Sequence, residues 1–153
     1  NVFFEGNPFV GGTLLTHPAL QERNVKRLSV FMSPLSRYEI LFLKSVKPAV
    51  SLPELITDIM RRKLLRRTRR QKGEPSLKDL ENIERRASSA YNELKEANNY
   101  QYVIPNHDGE DSENWDAFYY PLGDARKALV TFVALLEGNV PAEVEKWEED
   151  LLI

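Results

Sequence analysis

Residues Arg86 to Asn106 read R-A-S-S-A-Y-N-E-L-K-E-A-N-N-Y-Q-Y-V-I-P-N, and a change of period inside them decides the fold. Ala87, Ala90, Tyr91 and Leu94 continue a stripe begun by Leu77, Leu80 and Ile83, the spacing of one apolar helical face. Asn98-Asn99 ends that helix. Tyr102-Val103-Ile104 is then a short apolar run stopped by Pro105, which reads as a strand. The stretch predicts a helix that runs straight into a strand ending on Asn106.

Upstream, Gly73-Glu74-Pro75 is a break, and Ser76-Leu77-Lys78-Asp79 starts the helix after it. Ser51-Leu52-Pro53-Glu54 reads as a capping box with proline in the first turn, where it is tolerated. Leu55, Ile56, Ile59, Met60 and Leu64 then fall on one helical face. Ser36-Arg37-Tyr38-Glu39 is a second capping box, opening a helix to about Ser45. Leu28 to Met32 reads as a strand, and so does Val2-Phe3-Phe4-Glu5, closed by Gly6-Asn7-Pro8. A short helix is expected at Thr13–Leu15.

Downstream, Pro105 to Gly123 reads as a long acidic and aromatic loop, with a possible strand at 118–120. Asp124 caps a helix from Ala125 to Leu136. Pro141 to Leu152 reads as a last amphipathic helix with Val144, Trp147 and Leu151 on one face. Strands alternating with helices predict an α/β fold with a parallel sheet.

The chain has 153 residues, 42% of them hydrophobic and 29% charged, which suits one globular domain with an ordinary core. It has no cysteine, so disulfides, thiolate metal sites and cysteine nucleophiles are excluded. That agrees with a cytoplasmic protein. No apolar run is long enough to span a membrane, and no signal peptide is visible. Residues 61–72 hold eight of the 21 basic residues. Such a run can bind nucleic-acid phosphates with strong salt dependence, but the net charge of −2 argues against nucleic acid as the partner.

The pattern Arg86, Ala90, Glu93, then Tyr100-x-Tyr102-Val103-Ile104-x-Asn106 resembles the C-terminal half of guanylate kinase. Val30-Phe31-Met32-Ser33-Pro34-Leu35-Ser36 is similar to that family's "I-F-I-x-P-P-S" segment, and Val2 to Asn7 to its "V-L-L-E/D-I-D" strand. Lys63 to Arg86 falls where the family has its arginine-rich lid. The resemblance implies a parallel-sheet P-loop nucleotide-kinase-like fold, with residues 1–138 as core, a helical lid at about 61–86, and a C-terminal helix at 139–153.

The same resemblance implies transfer of the ATP γ-phosphoryl to a nucleoside monophosphate with Mg2+. Arg86, Arg70 and Arg67 would be catalytic. Asn106, Glu5, Asn7, Arg85 and Arg66 would bind nucleotide. Arginine suits that role as a planar, permanently charged donor. Arg85 and Arg86 are adjacent and point about 100° apart, so one of them is expected to face the site.

Asn7 stands in place of an acid, and Gly6 in place of an apolar residue. No G-x-x-x-x-G-K-[ST] occurs anywhere. The family carries that loop before the segment that residues 2–7 resemble. The chain, which begins with Asn, is therefore expected to be a C-terminal portion or a degenerate relative, inactive alone. The alternative is a non-catalytic binding module that recognises phosphorylated or acidic partners.

The remaining features have plain readings. His17 and His107 lack metal-ligand spacing and read as surface loop residues. Asp108, Glu110, Ser112, Asn114 and Asp116 alternate in a calcium-loop manner without an EF-hand's central glycine and final glutamate, so they read as a solvated acidic loop. Trp115, Phe118, Tyr119 and Tyr120 read as core or loop anchors, and Trp147 as the residue docking the last helix. A sheet lacking a central strand would leave an open edge, which makes self-association conceivable.

Overall fold

A computed structural model of the chain describes residues 2–21, 26–109, 112–117 and 120–153. Helices dominate the described residues. They are α1 (Pro8–Thr16), α2 (Pro18–Gln21), α3 (Arg37–Ser45), α4 (Leu52–Lys72), α5 (Leu77–Lys95) and α6 (Gly123–Leu136). Short 3-10 turns cover Glu96–Asn99, Glu113–Trp115 and Glu149–Leu152. β1 (Val30–Ser33) and β2 (Tyr102–Pro105) pair in parallel, Val30 opposite Tyr102 and Ser33 opposite Pro105.

This corrects the expected parallel-sheet P-loop kinase fold: the described residues form a two-stranded sheet in a mostly helical molecule. Val2 to Glu5 forms no strand and lies exposed, with Val2 97% accessible. Its composition favours a strand, but strand formation depends on a neighbour to pair with, and none is placed beside it. Phe118 and Tyr119, in the other proposed strand, lie outside the described residues.

The sheet is covered on both faces. Phe31 and Val103 point into the larger core with Ile40, Ile56, Leu94 and Trp147. Ile104 points the other way, against Ala128 and Leu135 of α6. That alternation is the two-residue period of a pleated strand.

Two of the three serine starts work as expected. Ser36 and Ser76 each accept from the backbone N–H three residues on, while Glu39 and Asp79 reach back to the cap N–H. Lys72, 2.7 Å from Asp79, and the Ser76 hydrogen bonds hold that carboxyl at about 2. Ser51 makes no side-chain cap; the apolar Leu52 buried beneath that turn anchors α4 instead.

The expected helix over 141–152 is a second correction. Val103 N–H donates to Glu145 O at 2.8 Å and Glu145 N–H to Val103 O at 2.9 Å, an antiparallel bridge that closes the outer edge of β2. The Glu145 carboxylate accepts from the Arg37 N–H at 2.8 Å and the Trp147 indole at 2.7 Å. Backbone pairing with β2 holds this segment extended, so only Glu149–Leu152 winds. Trp147, Leu151 and Leu152 join the main core, so residues 139–153 pack as part of it. No helix among the described residues is long and apolar enough to cross a membrane.

Candidate functional site

α4 and α5 form a long hairpin whose base packs on the sheet and whose middle faces the carboxyl ends of β1 and β2. On α4, Met60, Lys63, Leu64 and Arg67 fall at the spacing of a single helical face. Arg86 projects from α5 towards the same space, and Asn106 follows β2. Together with Glu5, Met32, Asp108 and Trp115 they line a cavity of about 490 Å3. The residues at opposite ends of the opening stretch, Arg86 and Asn106, thus converge.

The electrostatics of the cavity are uneven. Among the described residues Lys63, Arg67 and Arg86 supply three positive charges, and Glu5 and Asp108 are the carboxylates lining it. Asp108 is engaged elsewhere: it accepts from Asn114 Nδ2 at 2.9 Å, Ser112 Oγ at 2.9 Å and the Ala125 N–H at 2.8 Å, near the start of α6. Burial opposes its charge, yet these hydrogen bonds outweigh that and hold its pKa below the usual carboxylate range. The turn that carries them needs Gly123, with φ of +57°; a Cβ there would sit 3.0 Å from Asn114 Nδ2. Lys63 Nζ lies 3.4 Å from the Asn106 carbonyl, and Asn106 Oδ1 accepts from the Asp108 N–H at 3.1 Å. Among the described residues the Arg86 guanidinium makes no hydrogen bond or ion pair.

The other expected site residues are placed elsewhere. Arg85 lies away from the cavity and donates to Asn82 at 2.7 Å. Arg66 is exposed outside the cavity, and Arg70 pairs with Asp116 at 2.6 Å. Asn7 is the N-cap of α1, accepting from Phe9 N–H at 2.9 Å, and its amide donates to Glu93 at 3.3 Å. Its neighbour Pro8 starts a helix, and that makes Asn7 a cap rather than a ligand contact. Arg61 is held by Glu84 through two hydrogen bonds of 2.8 and 2.7 Å.

His107 is more than a surface loop residue. Its Nε2 lies 2.9 Å from both Glu39 oxygens and its Nδ1 hydrogen-bonds Asp124, tying the loop after β2 to the first turns of α3 and α6. Burial disfavours its positive charge, but hydrogen bonds and attraction from Asp124 and Glu39 prevail and raise its pKa. Trp115 anchors its loop by donating to the Gly109 carbonyl at 3.0 Å. Glu110, of the acidic alternation, lies outside the described residues. Lys63 and Trp115 were missed as site residues. Lys63 was detectable, standing four residues before Arg67 on one helical face; Trp115 reaches the cavity through loop geometry that no period announces.

The resemblance implies magnesium and ATP at this site. No group of three or more acidic or histidine side chains among the described residues could hold a metal ion. Of the two carboxylates lining the cavity, Asp108 is committed to Asn114, Ser112 and Ala125. What the cavity offers is cationic groups against an apolar wall of Met32, Met60, Leu64 and Trp115, a setting in which charge–charge attraction is less screened than in water. No protein-family model, no curated protein and no solved structure matches this chain, so the convergence of these side chains is the ground on which its function is read.

Proposed function

We propose that this chain is a non-catalytic module that binds a phosphorylated ligand between α4, α5 and the ends of β1 and β2. The observation that carries this reading is the Arg86 guanidinium, unpaired among the described residues and facing a cavity that Lys63 and Arg67 also line. Phosphate accepts paired N–H bonds from a guanidinium in one plane and is attracted by ammonium groups nearby. The apolar wall beside Trp115 and Met60 favours a phosphate carried on a ring or another flat apolar group. A nucleoside monophosphate has that chemistry, and the guanylate-kinase resemblance points to the same class. The reading is one of binding.

The test is a calorimetric or NMR titration of the chain with guanosine monophosphate and with phosphotyrosine, at low and at physiological salt. Saturable binding that Arg86→Gln weakens about tenfold or more, the loss of one charge-assisted hydrogen-bond pair, supports the reading. Binding that is the same in Arg86→Gln, or no binding of either compound at millimolar concentration, refutes it.

A further inference from the structure

The two edges of the small sheet are treated differently. The outer edge of β2 is closed by Glu145. Among the described residues the outer edge of β1 pairs with nothing. Tyr102 N–H donates to Ser29 O at 3.2 Å and Asn106 N–H to Ser33 O at 2.8 Å. In that parallel register Ser29, Phe31 and Ser33 turn their main-chain groups to β2, and Val30 and Met32 turn theirs away. Among the described residues the N–H and C=O groups of Val30 and Met32 meet no partner.

That bare edge faces a slot of about 410 Å3. Phe4, Glu5 and Gly6 line it, and Ile56, Ala90 and Leu94 of the α4–α5 hairpin supply its apolar floor. Among the described residues the ionisable side chains lining it are Glu5, Glu93 and Tyr100; Glu93 also accepts from Asn7 Nδ2 and Ser89 Oγ through one oxygen, Oε1. The slot adjoins the cationic cavity, with which it shares Met32 and Met60.

We propose that the slot beside β1 receives one extended polypeptide strand from a partner, apolar at alternate residues and carrying a basic residue at one end. The main-chain groups of Val30 and Met32 are complementary to a strand and to no helix or small anion, because they repeat at the two-residue spacing of a ladder. The apolar floor selects the side chains on one face of that strand. Glu5 and Glu93 select the positive end. Insertion also gives residues 4–6 a neighbour to pair with, the condition that Val2 to Glu5 lacks in the chain alone. A parallel pair is ordinarily interior to a larger sheet, and a third strand would move β1 from edge to centre.

Amide hydrogen exchange on the 153-residue chain tests this, with an acetylated hexapeptide alternating valine and threonine and ending in lysine. In the chain alone the Val30 and Met32 amides exchange fast, while Phe31 and Ser33 are protected. Peptide at about 1 mM, a concentration that detects even weak association, slows Val30 and Met32 by about tenfold or more. The same peptide N-methylated along its bonding edge does not. No slowing by the unmodified peptide overturns the proposal. Equal slowing by both peptides also overturns it, since it shows hydrophobic contact without strand pairing. Slow exchange of both amides before peptide is added, with a mass that doubles as concentration rises, overturns it too, because a second copy then occupies the edge.

Discussion

The α4–α5 hairpin has a base and a tip built on opposite principles. At the base, Leu52, Ile56, Ala90 and Leu94 sink into the main core between the sheet and the C-terminal segment. At the tip, Leu64 and Ile83 are the last buried side chains, and beyond them the helices are joined by exposed pairs such as Lys72 with Asp79. Burial of apolar surface supplies stability in proportion to area, whereas ion pairs in water supply little. The base therefore holds the hairpin to the molecule, and the tip is left to present charge. The cavity lies between the two, where Met60, Lys63 and Arg67 still have a rigid base behind them but already face solvent.

The largest expected effect breaks the base. Ile56→Ala should cost about 2–5 kcal/mol, read as a fall in the denaturant midpoint. Leu77→Ala at the tip, where the side chain is 74% exposed, should change stability by no more than about 0.5 kcal/mol. Equal losses at the two positions would erase the contrast. Trp147→Ala removes the indole packed under the base and should cost about 3–5 kcal/mol. Protease cleavage at 141–153 should appear in this variant before the rest of the chain is cut.

Next comes Arg86→Gln, which should leave the unfolding midpoint where it is and cut affinity for a nucleoside monophosphate by about tenfold. A fall in stability as large as that of Ile56→Ala would mean the guanidinium serves the fold and not a ligand.

A smaller effect depends on pH. Burial works against the charge on His107, but Asp124 and Glu39 prevail and raise its pKa above the ordinary value of about 6.5. A raised folded-state pKa contributes stability that is complete below the unfolded value and lost as pH climbs through the folded one. Stability should therefore decline as pH rises from about 6.5. His107→Gln should flatten that slope in a urea series, and an unchanged slope would remove His107 from the account. The least effect is expected from Arg61→Gln, midway along the hairpin. Its two bonds to Glu84 are solvent-exposed, and the midpoint should not move measurably.

Legibility in the sequence followed the range of the forces involved. Helix starts at Ser36 and Ser76 were readable because a cap involves only the next three residues. The stripe from Leu77 to Leu94 and the strand ending before Asn106 were readable because burial imposes a period. Of the residues that the resemblance assigns to one site, Glu5, Arg67, Arg86 and Asn106 line one cavity, and Arg66, Arg70, Arg85 and Asn7 lie elsewhere. Helical phase sets Arg66 apart, since it is turned about a hundred degrees from Arg67, which shares the face of Lys63; Arg70 shares that face too but pairs with Asp116. The ties of His107 were not legible, because its two carboxylate partners stand 68 and 17 residues away.

By itself the sequence determined the courses of α3 to α6, the caps at Ser36 and Ser76, the apolar faces of α4 and α5, and the two short strands, since each depends on neighbours within a few turns of chain; the caps expected at Ser51 and Asp124 do not form. Only the tertiary structure decided that Val2 to Glu5 remains unpaired, that Glu145 closes one edge of the sheet, and that Trp147 belongs to an extended tail. A strand exists only if another strand lies beside it, and the identity of that neighbour is written in no local stretch of residues.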